Sequence, residues 1–369
     1  MIDRFNDYIN EPAMHRFESL QEQEIKAEQK KNETQDFKKF LKILALTVVF
    51  ITIAEKFMSH AVWSVFFGLD FTFAFSHLHV PNFDYFIETI SGDGARVLTQ
   101  DSLYFIQWAL NDIIVYLPSL IVMPFAFRKY MNRSGLADGQ ANRYNFPAFG
   151  VLTLFLSAYS LSYAGGKVTA FIADFLDGLF GTGELENVFA DVMPTSGNQW
   201  LLMYLFVGLI GPIAEEVIFR HMLLRPLRRF GDMQAVIITS LLFGAFHGNL
   251  YQLLYTSLAG FVMGVAAVKA NSVMPAIFIH VLNNTFDIAK SHFFEMSIYG
   301  EIPVSPYIVS NLYMMVVYGG LLLSIVLMVN HHFSLTNDNP HLSTGERARM
   351  AFANPWILAM MAVLIYTIV

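Results

Sequence analysis

The stretch QWLLMYLFVGLIGPIAEEVIFRHMLL, residues 199–224, decides the fold. Its only acidic, basic or imidazole side chains are Glu215, Glu216, Arg220 and His221, and they follow an apolar run from Trp200 to Ile210. A helix needs about 20 mostly apolar residues to cross the hydrocarbon layer, and this run supplies them. Working outward, similar runs stand at about 234–249, 251–268, 273–289 and 306–330, with a shorter one at 354–369. Upstream, runs begin near Phe40 (FLKILALTVVFITIA) and cover about 102–127 and 147–165. Hydrophobic residues make up 55% of the 369-residue chain and charged residues only 14%, too little polar surface for a water-soluble body. The expected fold is all-α: a polytopic transmembrane helical bundle of about eight to nine spans.

The same composition excludes several functions. The net charge is −7 with no basic stripe, so nucleic acid is not a partner. Cysteine is absent, which removes disulfides, thiolate nucleophiles and Cys-ligated metals.

Residues 1–39, dense in Glu, Gln and Lys, read as a polar cytoplasmic arm, and 40–369 as one transmembrane domain with no internal repeat. No apolar segment near the start suggests a cleavable signal. A polar stretch is expected at 166–198, interrupted by the amphipathic piece VTAFIADFLDGLF. Lys and Arg in short loops set orientation. The arm and the segments 128–146 and 220–233 are net basic, whereas 70–101 and 166–198 are net acidic. The alternation puts the N-terminus in the cytoplasm.

Charged groups at bilayer depth are costly and mark either a buried pair or function. Glu55 with Lys56, and Asn111 with Asp112, read as structural pairs. Arg225, Arg228 and Arg229 read as an ordinary cytoplasmic anchor. Residues 211–287 differ: Glu215, Glu216, Arg220, His221, His247, Asn249, His280, Asn283, Asn284 and Asp287 fall within four successive apolar segments. That density reads as a functional site.

Spacing sorts the groups. Adjacent helical residues point about 100° apart, so Glu215 and Glu216 cannot face one partner equally. Glu216 and Arg220 are spaced i, i+4 with the acid first, which suits an ion pair. Glu215 is then the carboxylate left to act as a general base, its proton affinity set by burial. Exchanging the two glutamates is the rival assignment. His280 and Asn284, again i, i+4, can aim two hydrogen bonds at one oxygen. His247 follows Phe243 and is flanked by Gly244 and Gly248, which permit close helix approach or a local break.

Three motifs in order, EEVIFR (Glu215–Arg220), FGAFH (Phe243–His247) and HVLNN (His280–Asn284), resemble the CAAX prenyl endopeptidase and bacteriocin-processing family of glutamic intramembrane proteases. The motif region covers about 199–289. The resemblance implies that Glu215 and His247 activate water, that His280 and Asn284 form an oxyanion hole, and that Glu216, Arg220 and Phe243 support them. It implies a membrane-embedded or lipidated, CAAX-like protein or peptide as substrate and the lipid bilayer as surroundings. The short loops and the lack of an organelle-targeting segment point to a bacterial plasma membrane as location. No cofactor is expected. A divalent metal held by Glu215, His247 and His280 is the alternative chemistry. A non-catalytic immunity factor or scaffold, or a transporter, is the alternative function.

Overall fold

The computed structural model describes residues 3–67, 110–111, 113–131, 148–180, 194, 197–248, 250–335 and 341–368, and all regular structure among them is helical. Residues 70–101, 132–147 and 181–193, together with Asp112 and Asn249, lie outside the described residues.

Helix α1 (Asp3–Phe67) runs from the polar arm into the first apolar run without a break. Phe37, Phe40, Leu41, Leu44, Val48 and Ile51 are fully buried, and their three- and four-residue spacing makes one inward stripe. Leu46, Phe50, Ile53 and Phe57 point outward. The stripe packs on α2 (Leu117–Met131) and on α10 (Pro355–Ile368). Two ion pairs fasten the arm: Lys30 to Glu346 at 2.6 Å, in α9 (Thr344–Phe352), and Arg229 to Asp36 at 2.8 Å.

The centre is built from α3 (Ala148–Phe180), α4 (Gln199–Phe230), α5 (Asp232–Phe246), α6 (Leu250–Ala270) and α7 (Met274–Ile298). Helix α6 is 67% buried along its most apolar window and packs chiefly on α3 and α5. Helix α8 (Pro306–Val329) is only 17% buried and closes the outside of α3, where Ser157 and Ser324 share a hydrogen bond of 2.7 Å. Three helices, α4 (Gln199–Phe230), Gln252–Ala270 within α6, and α8, are each long and apolar enough to cross a membrane. A fourth is added if α9 and α10, bent by 58°, form one broken span. These counts cover the described residues. The fold is an all-α, polytopic membrane fold.

Of the expected run at about 102–127, residues 102–109 lie outside the described residues and Val115–Tyr116 form a turn before α2; the other expected apolar runs lie on helices, but three expectations change. The piece VTAFIADFLDGLF is not separate: it continues α3 to Phe180. Helix α7 runs on to Ile298, beyond the expected end at 289. The arginines in the last turns of α4 do more than reach toward headgroups. Arg228 binds both oxygens of Asp232, at 2.7 and 3.2 Å, and the side-chain oxygen of Asn271, tying the starts of α5 and the α6–α7 turn together.

Helix α4 has a sequence-encoded irregularity. Two wide, π-helical turns, Phe206–Ile210 and Val217–Leu224, flank the segment Gly211–Glu216. Pro212 has no N–H to donate, and the Gly211 N–H bonds to the Phe206 carbonyl. The carbonyls of Val207 and Gly208 accept from α7, from Asn284 Nδ2 at 2.9 Å and Thr285 Oγ1 at 3.4 Å. These two bonds dock α7 against the turn just before the two glutamates.

The two glycines around His247 serve different ends. A Cβ on Gly244 would stand 2.1 Å from Ser257 Oγ and 2.4 Å from the Leu253 carbonyl, so α5 and α6 touch backbone to backbone there. Gly248 has φ +61°, a left-handed turn that ends α5 and reverses the chain. We expect Gly244→Ala to pry α6 from α5 and lower stability by about 1–3 kcal/mol, as overpacking does. Gly319→Ala, on an open face of α8, should leave it unchanged or slightly raised. Thermal unfolding in detergent micelles, comparing the two variants with the parent, checks this.

Candidate active site

Glu216 has no exposed surface, and its two oxygens are both engaged. Oε2 accepts from Arg220 Nε at 2.8 Å, on the same helix. Oε1 lies 3.1 Å from Nδ1 of His280, on α7. The guanidinium of Arg220 is itself buried, and its Cζ stands 5.4 Å from the ring centre of Phe243, on α5. A buried carboxylate, a buried guanidinium and an imidazole therefore lock α4, α5 and α7 together. The expected Glu216–Arg220 pair is present, and it has a third member, His280, which spacing along one helix could not reveal.

Glu215 points elsewhere. It lines a cavity of about 930 Å³ shared with His247, His280, Asn283, Asn284 and Phe243. Glu216 and Arg220 do not line it. Glu215 Oε1 accepts from the hydroxyl of Tyr116 at 2.6 Å, and Oε2 lies 3.8 Å from His280 Nε2. Oε2 is buried and, among the described residues, has no hydrogen-bond partner. Glu215 is therefore not wholly uncommitted, as spacing alone suggests: one oxygen is held and the other faces the second motif histidine.

The two imidazoles are oriented by what each nitrogen meets. His247 Nδ1 lies 2.7 Å from the Phe243 carbonyl, which requires a proton on Nδ1 and leaves Nε2 as an acceptor in the neutral ring. His280 Nδ1 faces the Glu216 carboxylate and likewise carries its proton. Its Nε2, turned toward Glu215, donates only in the doubly protonated ring. Phe243 separates the rings, edge-on to His247 at 5.0 Å and to His280 at 5.5 Å. Asn284 spends one N–H on the Val207 carbonyl, leaving its second N–H and its oxygen. His221 points outward and takes no part.

The three motif segments, far apart in sequence, meet on one cavity wall and the frame behind it. Residues 197–286 match the type II CAAX prenyl endopeptidase Rce1-like family. The match covers about a quarter of the chain. Over 181 residues, 48% of this chain, the sequence is 26% identical to the Bacillus subtilis (strain 168) protein YdiL, provisionally named a membrane peptidase, and the match covers 69% of that protein. No solved structure matches the chain. Both comparisons support a membrane protease in general.

The Rce1-like segment supplies only part of the cavity. Glu55, Lys56 and Asn111, which read as structural pairs in sequence, line it as well, and Ser119 donates to Glu55 Oε1 at 3.0 Å. At another part of the wall, Asp287 Oδ1 accepts from Tyr159 at 3.0 Å and Lys290 at 2.9 Å, and Lys290 stands 5.1 Å from the ring centre of Tyr313. Tyr116, Tyr159, Lys290 and Tyr313 escaped the sequence reading, because a tyrosine or a terminal lysine in an apolar run carries no local signal. Among the described residues no three His, Asp or Glu side chains converge as a metal-binding set, so Glu215, His247 and His280 do not form one as they stand.

Arg220 makes a test of the frame. Removing it leaves Glu216 a buried charge without its cation, a change that typically costs about 3–5 kcal/mol. Arg220→Ala should therefore lose most folded protein on purification, while Arg220→Lys, which keeps the charge but not the planar fork, retains part of it. Size-exclusion profiles and melting curves in detergent decide, and a normal melt for Arg220→Ala would contradict the frame role.

Proposed function

We propose that the protein is an intramembrane endopeptidase that hydrolyses a peptide bond in a membrane-embedded or lipidated, CAAX-like protein or peptide, using water activated by Glu215 and His247. The observation that carries this is the half-held carboxylate of Glu215, one oxygen fixed by Tyr116 and the other directed into a cavity beside His280. The Rce1-like match and the likeness to YdiL support a protease in general.

In the proposed reaction Glu215 Oε2 takes a proton from water as the oxygen attacks the scissile carbonyl carbon. His247, with Nδ1 held by the Phe243 carbonyl, orients that water through Nε2. The carbonyl oxygen becomes an oxyanion and accepts from Nε2–H of doubly protonated His280 and from the second N–H of Asn284. Collapse of the tetrahedral intermediate breaks the C–N bond, and the proton held on Glu215 passes to the leaving amine. Glu216 fixes His280 by Nδ1, much as a carboxylate orients the histidine of a hydrolytic triad. No step is routed through a metal. The cavity volume lies near the upper end of the range for enclosed ligand sites, roughly 300–1,000 Å³, with room for a short extended peptide. We place the N-terminal arm in the cytoplasm from the charge alternation of the loops, and the short connections between spans and the Bacillus subtilis relative support a bacterial plasma membrane.

Cells carrying Glu215→Ala should lose a defined set of new C-termini on membrane proteins that cells with the intact protein display, while the protein is made at the same level. Mass spectrometry of C-terminal peptides reads this. An identical set of termini in both strains would contradict the proposal.

A further inference from the structure

The hydroxyl that holds Glu215 comes from outside the Rce1-like segment. Tyr116 sits in the turn that opens α2, where its carbonyl accepts from the Leu120 N–H at 3.0 Å. Its hydroxyl reaches across 99 positions of sequence to Glu215 Oε1 at 2.6 Å. One turn further on, Ser119 holds Glu55 in the same way. Both pairs line the one cavity. The start of α2 therefore presents two hydroxyls, spaced i, i+3, each gripping a carboxylate from a different helix.

A glutamate with one free oxygen can rotate about its side-chain torsions unless something fixes the other oxygen. A short O–H···O⁻ bond is among the stronger neutral-donor contacts available. Nothing else among the described residues bonds to the Glu215 carboxylate besides the 3.8 Å approach of His280. We propose that Tyr116 is a positioning residue of the hydrolytic site: its hydroxyl anchors Glu215 Oε1 so that Oε2 is presented to the cavity beside His280. The active site is then completed by α2, and the segment 197–286 alone lacks the anchor. This inference rests on the proteolytic reading of Glu215.

The test uses the full chain and two readouts. For contact, 3-fluorotyrosine is incorporated at position 116 in nanodisc-embedded protein. Its fluorine resonance should shift on Glu215→Gln and stay in place on Gly319→Ala. For function, the rate at which Glu215-dependent C-termini accumulate after induction should fall about 10- to 100-fold in Tyr116→Phe, the scale expected when a reacting group is misplaced by about an ångström. The melting temperature should be unchanged, and the fluorotyrosine protein, which keeps the hydroxyl, should cleave at the parental rate. A resonance indifferent to Glu215→Gln overturns the contact. Full cleavage by Tyr116→Phe overturns the positioning role. Lost cleavage with a lowered melting temperature makes Tyr116 structural and overturns it too. If Glu215→Ala leaves all C-termini in place, the protease reading fails instead, and the resonance shift alone decides whether the pair exists.

Discussion

A carboxylate without any exposed surface must be met on both oxygens or it unfolds its surroundings, and Glu216 imposes that condition on this protein. Arg220 answers it from the same helix and His280 from α7. Phe243 then lies against both Arg220 and His280, which brings α5 into the arrangement. The motif residues thus form a frame before they form a site. The wide turns of α4 serve the same end, because Pro212 removes a donor there and the Asn284–Thr285 edge of α7 bonds to the carbonyls of Val207 and Gly208.

The frame determines what the cavity receives. With Glu216 turned inward, its neighbour Glu215 projects to the other side and meets open space, Tyr116 and the far nitrogen of His280. Adjacent acids are thereby given unlike environments, one saturated and one half-saturated, and only the second suits proton transfer. His280 joins the two, bound at Nδ1 to the structural carboxylate and facing the other at Nε2.

How much of this was legible in the sequence depends on the range of each interaction. Apolar runs of about 20 residues and the i, i+4 spacing of Glu216 and Arg220 are local, so the helices and the ion pair could be read directly. Gly244 and Gly248 were readable as a pair, and the structure divides them into a close contact and a left-handed turn. Contacts between distant helices left no such trace. His280 looked like a partner of Asn284 because they share a helix face, whereas Asn284 donates backward to the Val207 carbonyl of α4. Tyr116, 99 positions from the acid it binds, had nothing to distinguish it from the other tyrosines of an aromatic-rich chain. Glu55 and Lys56 looked like a self-contained pair because their cavity is assembled only when α1, α2, α4 and α7 come together.

The central claim is that the two neighbouring glutamates divide structure from chemistry. Isosteric replacement of each, Glu215→Gln and Glu216→Gln, followed by thermal unfolding and by counting cleaved C-termini, measures that division. The account predicts that Glu215→Gln folds like the parent and cleaves nothing, whereas Glu216→Gln melts at a clearly lower temperature. A normally stable Glu216→Gln protein, or a Glu215→Gln protein that still cleaves at the parental rate, would contradict it.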